Sequence, residues 1–517
     1  MTGLTVLLAL LPVIIIMLLL VVRRMAADLS GLAGWVAAVV VAMVFFQTPF
    51  AVTLRASLAG IVASLPITLM VAASIFQITI MLETGAVKRV MTVVKTVSPQ
   101  DQVVQIMIIN IGVGTILAAM GATPVSILPP IMLALGYSPL VAIALPAIGY
   151  DALCTYALLS EPLNVFSRFV GRPPQEVGMY FARYMPVIST CIAFGMLWIV
   201  GKWPMIRKGW LPTVLAGMSA GFIAIGMNQL NLIPITGLAA GLGVILVMAA
   251  YLKLRGKPFI DRSVLTPEDL ETERGMSLFA ATSPWLFLVV LCVLVNVPAF
   301  KIGPWLTEHF PMALSIIPKD RPMELDMFKR AYFLVLLSTI IALPFLRPSS
   351  SQFRTSAVKW LKRAPRPALA AAVFFAIAFI LNHSGKNSDY VLVDATKNMV
   401  QVIAVACAGL FQQAYPIVAP FLGLMGGFIS GSEASAIAML TKLHMNTAEK
   451  IGASGLVLAA ASGIGGGLAS VISPAKLQNA AAAIDRIGEE SKVIPVCFVI
   501  SIVITTICAL MTLYWAY

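Results

Sequence analysis

The chain of 517 residues is 60% hydrophobic and only 11% charged, with a mean hydropathy of +0.95, against roughly 25% charged residues in a soluble domain. That composition excludes a soluble globular enzyme and a disordered chain, and it leaves an all-α polytopic membrane protein in contact with lipid. The net charge of +13 calls for no nucleic acid, because basic cytoplasmic loops alone produce such a balance.

The first apolar run, 4–22, lacks a preceding basic region and a small-residue cleavage site, so it reads as a first membrane helix rather than a cleaved leader. Arg23 and Arg24 follow it. Further spans fit at 32–46 and 58–82, with Lys88, Arg89 and Lys95 after the third. A fourth span, 103–120, runs into Gly121-Ala122-Thr123-Pro124-Val125-Ser126, where small residues and a proline break it. The apolar run 127–135 is too short to cross a bilayer that needs about 20 helical residues. Gly136-Tyr137-Ser138-Pro139 then restarts the chain, and 139–159 reads as a full-length helix with Asp151 near its middle and Glu161 just past its end. Spans at 185–200, 211–227 and 233–252 complete an N-terminal half, 1–252, interrupted at 121–137. Residues 253–282 are the longest hydrophilic stretch, with acids and bases nearly balanced, and read as a solvated connection between halves.

The C-terminal half, 283–517, opens with a span at 284–300 and a partly polar stretch, 301–330, holding an interfacial helix near 304–310. A span at 331–346 follows. Arg347, Arg354, Lys359, Lys362, Arg363 and Arg366 then fall in a loop with no acidic residue, which marks it as cytoplasmic, and with the N-terminus outside, Arg23, Arg24 and the Lys88 to Lys95 cluster fall on the same side. Next come 368–381, an amphipathic 396–413, and 416–429. The last two spans are 451–472 and 493–515. Crossing and half-crossing helices total about 13 to 15.

The most unusual stretch is 428–446, FISGSEASAIAMLTKLHMN, a polar and small-residue insertion in lipid-like sequence. Gly426, Gly427 and Gly431 stop the helix before it, Ser430 to Ser435 offer hydroxyls and the carboxylate of Glu433, and the short apolar run 436–443 precedes a restart at Met445-Asn446-Thr447. Irregular backbone at membrane depth survives only where protein buries it or water adjoins it. This stretch repeats the pattern at Gly121, 310 residues earlier, with 17 residues from breaker to restart there (121–138) and 16 here (431–447). Paired interrupted segments in two inverted halves point to the binding site of a secondary transporter. The two interruptions are therefore expected to meet near the bilayer midplane.

Broken helices present free N–H groups at positive helix ends, which suit the carboxylate of a small organic anion. The substrate-binding candidates are Gly121, Thr123, Pro124 and Ser126 in the first interruption and Ser430, Gly431, Ser432 and Ser435 in the second; hydroxyls of this kind also serve as helix-packing groups. Intramembrane acids mark ion pathways, so Glu433 first and Asp151 second are the candidates for coupling to a proton. Sodium is the alternative coupling ion, held by unwound carbonyls and a carboxylate. Six cysteines without a CxxC pair and three histidines without ligand spacing suggest neither a metal site nor a cofactor. The string Gly217-Met218-Ser219-Ala220-Gly221 matches a hydrolase nucleophile elbow in letters only. It lies inside an apolar helix rather than on the strand-to-helix turn that exposes the serine, so it reads as helix packing and the chain as no enzyme. The sequence leaves the oligomeric state open.

Several of these segments resemble the L-lactate permease family, whose members carry lactate and glycolate in symport with protons. The resemblance lies in SPWLFLVVLCVLV from Ser283, FILNHSG from Phe379, APFLGLMGGFISGSEAS from Ala419, GGGLASVISPAKLQNAAAA from Gly465 and, in the first half, GATPVSILPPIMLALGYSPL from Gly121. It implies a proton-coupled permease for small monocarboxylates in a bacterial inner membrane. Where the family reads like GSDTSSN this chain has GSEASAI, so Glu433 stands in place of an aspartate. Where it has an Asn-Thr-Ala-Pro stretch this chain has GYDALCTYALLSEPL. These departures leave a related organic anion, or sodium coupling, open.

Overall fold

The computed structural model describes residues 3–517 except 24, 298, 299, 319, 321 and 487. Arg24, and two residues of the span expected at 284–300, lie outside the described residues. In chain order the helices are α1 (Gly3–Val21), α2 (Ala27–Val44), α3 (Phe50–Glu83), α4 (Ala86–Lys95), α5 (Gln102–Ile106), α6 (Gly114–Ala119), α7 (Pro124–Ala134), α8 (Pro139–Gly149), α9 (Ala157–Val170), α10 (Pro174–Ala182), α11 (Met185–Gln229) and α12 (Thr236–Leu254). A π-helical stretch, Met107–Val113, joins α5 to α6, and a 3-10 stretch, Tyr150–Tyr156, joins α8 to α9. There follow α13 (Pro267–Gly275), α14 (Leu278–Asn296), α15 (Ile302–His309), α16 (Ala331–Leu346), α17 (Ser350–Arg363), α18 (Pro365–His383), α19 (Met399–Phe411), α20 (Tyr415–Ser430), α21 (Glu433–Ile451), α22 (Gly455–Leu468), α23 (Pro474–Ala482) and α24 (Glu490–Ala516). The strands among the described residues are one short hairpin, Ala313–Leu314 paired with Met323–Glu324.

Among the described residues eleven helical stretches are long and apolar enough to cross a bilayer, and three shorter apolar helices, Pro124–Ala134, Ala331–Leu346 and Gly455–Leu468, accompany them. The chain is a multi-pass α-helical membrane protein. α11 holds two of the expected spans, because Gly201 and Lys202 leave helical geometry and the chain folds back. A Cβ on Gly221 would lie 2.2 Å from Pro186 Cα, and one on Gly217 would lie 2.4 Å from Thr190 Cα. The serine between them, Ser219, bonds its own helix at Ala216 O, so the hydrolase-like string is a packing seam.

The two ends of the bundle are set by polar contacts. At one end α4 is held by the 253–282 segment, through Lys88–Glu268 at 2.6 Å, Arg89–Glu273 at 3.0 Å and Lys95–Asp269 at 2.8 Å, with Lys257–Asp101 at 2.6 Å beside them. That segment was expected to be a solvated connection; it is instead a clamp on α4. Its helix α13 starts with a capping box in which Thr266 and Asp269 satisfy each other's backbone N–H groups. The basic α17 lies at the same end, with Lys359 on Glu83 and Trp360 Nε1 donating to Ala72 O. At the other end His383 pairs with Asp320 at 2.8 Å, the Gly385 amide donates to Thr48, and Tyr517 donates to Gln413 O.

One order of elements occurs twice: α5–α6, break, α7, α8, break, α9, and then α20, break, α21, α22, break, α23. The first set starts at the clamped end, where Lys257 meets Asp101, and the second starts at the opposite end, where Tyr517 meets Gln413. α20 and α22 pack almost backbone to backbone, since a Cβ on Gly427 would fall 2.1 Å from the Gly466 carbonyl oxygen. Small residues allow such close approach in membranes.

Two expected boundaries are corrected. The span at 139–159 is not one helix, because Leu153 leaves helical geometry (φ −138°) and Leu158, Leu159 and Ser160 take left-handed conformations. Left-handed turns cost non-glycine residues roughly 1–2 kcal/mol each and persist where surroundings fix them. Here Ser189 Oγ donates to the freed Ala152 carbonyl at 3.0 Å, and Ser160 Oγ donates to Ile233 O at 2.7 Å. The second correction is that no restart occurs at 445–447. α21 runs unbroken from Glu433 to Ile451, helped by Thr447 Oγ1 bonding back to Leu443 O, and the turn comes at Gly452.

Candidate functional site

α20 ends in Gly431, whose φ of +67° suits a residue without Cβ. Ser432 caps α21, accepting from the Ser435 amide at 3.4 Å, so Glu433 is the first residue of α21 and sits at its positive end. Ser430 spends its hydroxyl locally, on Gly426 O and Ser432 O. Glu433 is 3% exposed, and its Oε1 accepts from Thr155 Oγ1 at 2.6 Å while Oε2 has no hydrogen-bond partner. Thr155 comes from the 150–156 break, so the first half's kink supplies the donor to the second half's carboxylate.

The third wall is α22 and the break after it. A Cβ on Gly467 would fall 2.8 Å from Glu433 Oε2 and 3.2 Å from Cys154 Cβ; the missing side chain is what lets these groups approach. Ser501 Oγ of α24 satisfies the Leu468 carbonyl at 3.1 Å. Beyond the break, Lys476 of α23 reaches back to Tyr150, donating from Nζ to the phenol oxygen at 2.8 Å. Asp151, next to Tyr150, is 5% exposed, and no side chain among the described residues hydrogen-bonds its oxygens. Its charged neighbours are Lys476 and Glu433, with the Val471 backbone facing it. Ser435 Oγ, two residues from Glu433, is likewise buried without a partner.

The site thus joins two interrupted regions of one half to a kink of the other: 430–435 and 466–476 against 150–156. Asp151, Glu433, Ser430, Gly431, Ser432 and Ser435 are brought together. Gly121, Thr123, Pro124 and Ser126 are not placed against 430–435 by any hydrogen bond among the described residues. Gly121 (φ +84°) packs on α3, where a Cβ would lie 2.3 Å from Ser74 Oγ. Thr123 and Ser126 are exposed, Pro124 opens α7, and α7 packs on α8 and α23. The expected meeting of 121–135 with 430–443 is therefore corrected: the kink at 150–156, carried inward by α8, takes that place.

A cavity of about 440 Å³ lies farther along α21, lined by Lys442, Asn446, Glu449, Val170 and Gly455. Lys442 is nine residues from Glu433, about 13 Å along the helix axis. This hollow lies toward the end opposite the clamp, and its lining holds none of the residues of the site.

A family model for L-lactate permease matches residues 5–517. The chain belongs to the L-lactate permease family. Among its relatives, the L-lactate permease of Escherichia coli (strain K12) is 25% identical over 550 residues, covering 99% of this chain and 96% of the relative. The glycolate permease GlcA of the same strain is 24% identical over 554 residues, covering 100% and 96%. The L-lactate permease of Bacillus subtilis (strain 168) is 22% identical over 533 residues, covering 94% and 92%. These relatives are named as permeases, and the chain is accordingly a transporter and not an enzyme.

Within this permease the residues missed from sequence are Lys476, Tyr150, Thr155 and Gly467. The signal for Lys476 was one basic residue inside the closing SPAKLQN segment, which by position alone resembles a lysine flanking a helix end. Thr155 carried no signal, because the segment around it reads as uninterrupted helix.

Proposed function

We propose that this permease moves small monocarboxylates of the lactate and glycolate class, in symport with protons, across the inner membrane of a bacterium. The observation that carries the proposal is the constellation of buried Glu433 and Asp151 with half-buried Lys476 at the junction of two oppositely entering sets of broken helices. Such junctions suit alternating access, in which one set rocks against the other around a fixed site. The halves 1–252 and 283–517, joined through 253–282, are the rocking units.

The relatives named for L-lactate and glycolate support the substrate class. The α21 N-terminus with Ser432 and Ser435 supplies donors for an anion, and α7, from Gly121, Thr123, Pro124 and Ser126 onward, borders its path at α23. Proton coupling is supported by two buried carboxyls, since a carboxyl in low dielectric is stable only when protonated or paired with a cation. Purified protein in proteoliposomes, loaded with a panel of labelled organic acids under proton or sodium gradients applied separately, tests both parts. Uptake of L-lactate or glycolate driven by a proton gradient is the expected result. Transport driven by sodium alone refutes the coupling, and no transport of any small carboxylate refutes the substrate class.

A further inference from the structure

Lys476 crosses from the break in the second half to the kink in the first. Its Nζ donates to Tyr150 and lies 5.4 Å from the centroid of that ring. Two carboxyls lie beside it among the described residues. Asp151 comes from the 150–156 kink and Glu433 from α21. Among the described residues Cys154, Tyr150, Tyr156 and, from α24, Cys497 are the other titratable groups around Asp151, Glu433 and Lys476, and thiols and phenols are uncharged near pH 7 by their ordinary values. Among the described residues one cation and two carboxyls therefore make up the charge of the site.

We propose that Lys476 holds the carboxylate of the transported anion, and that Asp151 and Glu433 together form its exchangeable counter-ion, so that each bound monocarboxylate brings one proton into the site. The proposal rests on the monocarboxylate reading above. An uncompensated charge buried in protein costs several kcal/mol; Asp151 and Glu433 are buried while Lys476 is half-buried and keeps its proton and some water, so a carboxyl here is ionised only when it balances Lys476. With the site empty, Lys476 is balanced by one ionised carboxyl and the other holds a proton. When the anion arrives, its carboxylate neutralises Lys476, and the carboxyl that had done so takes a proton from the water on the side of entry. One O–H bond forms there, and it breaks on the other side when anion and proton leave.

Three consequences separate this from a single proton-carrying residue. Asp151→Asn and Glu433→Gln, taken singly, each leave one carboxyl to exchange roles with the substrate, so each still takes up one proton per anion. The double variant Asp151→Asn/Glu433→Gln has none and binds the anion without proton uptake. A dicarboxylate brings a charge that Lys476 cannot match and is selected against.

The experiment uses the full-length protein in detergent, weakly buffered at pH 7, with L-lactate as the probe. Calorimetry reads affinity and a pH indicator reads protons taken up per lactate bound. Wild type is expected to take up one. Lys476→Gln is expected to raise Kd by about 30-fold or more, the range for removing one partner of a buried charge pair, and Lys476→Arg to recover part of that loss. Because Lys476→Gln leaves two carboxyls without a cation and is prone to misfold, Asp151→Asn/Lys476→Gln, which removes charge evenly, is the decisive variant: it is expected to melt like wild type and to lose lactate binding. Lactate affinity within twofold of wild type in that variant overturns the lysine assignment. One proton per lactate in the Asp151→Asn/Glu433→Gln variant overturns the charge exchange. A wild type that binds neither L-lactate nor glycolate overturns the substrate reading and, with it, this assignment.

Discussion

Two glycines of the α20–α22 region separate the packing of this permease from its chemistry. A Cβ on Gly427 would fall 2.1 Å from the Gly466 carbonyl oxygen and 2.7 Å from Gly466 Cα, both backbone atoms. An ordinary C···O contact is about 3.3 Å, so α20 and α22 must separate by about 1.2 Å to admit alanine at 427. Overpacking of this kind costs about 1–3 kcal/mol, against about 1 kcal/mol gained in helix propensity, which leaves Gly427→Ala destabilised by up to about 2 kcal/mol. At Gly467 the atom met is the free end of a side chain, Glu433 Oε2 at 2.8 Å. A half-ångström shift of that carboxylate relieves the contact, so the fold is kept and the cost falls on the Thr155–Glu433 bond. Hydrogen bonds to charged groups contribute about 1.5–3 kcal/mol, so uptake in Gly467→Ala should drop about 10-fold or more. Thermal melting in detergent, with lactate uptake measured in parallel, resolves the two. Gly427→Ala should melt below wild type, whereas Gly467→Ala should melt with it and transport poorly. If Gly427→Ala were as stable and active as wild type, α20 and α22 would not be in backbone contact; if Gly467→Ala transported normally, Glu433 Oε2 would have no part in the cycle.

Thr155→Val removes the donor to Glu433 and is expected to lower uptake about 10-fold or more, while Thr155→Ser, which keeps the hydroxyl, stays near wild type; equal activity of the two would remove Thr155 from the site. Gly431→Ala forces a Cβ into a left-handed conformation and should destabilise the protein by about 1–2 kcal/mol, seen as a lower melting temperature, and no change would mean the turn is made differently. The clamp has a pH dependence of known sign: against the burial that raises it, hydrogen bonds from Lys95 and Thr266 hold the Asp269 carboxyl below its usual range. A lowered folded value means that the stabilisation is present above the unfolded value of about 3.9 and is lost as pH falls through the folded one. Residues 253–275 should therefore resist an acid-tolerant protease at pH 5 and become cleavable on acidification below about pH 4, with Asp269→Asn cleavable at pH 5 already; protection that does not change with pH or with the substitution would show that the clamp is not held by this pair.

Much of the architecture was set by composition and local pattern. Runs of apolar residues fix the spans because a bilayer leaves no other partner for the backbone than its own helix. Glycines at 121 and 431 end helices for a local reason, the left-handed conformation that each adopts, and two acids in apolar surroundings, Asp151 and Glu433, stand out wherever they lie. What tertiary structure decided is the kink at 150–160 and the lysine that answers it. Leu158, Leu159 and Ser160 are ordinary helix residues, turned left-handed in a kink that is fixed from outside, where Ser189 Oγ donates to the freed Ala152 carbonyl and Ser160 Oγ donates to the Ile233 carbonyl. Asn446 carries no such demand, so α21 runs straight through a segment whose letters resemble a restart. Lys476 lies 325 residues from Asp151, and a charge becomes a partner only by distance in space: until α23 is packed against α8, nothing along the chain connects them.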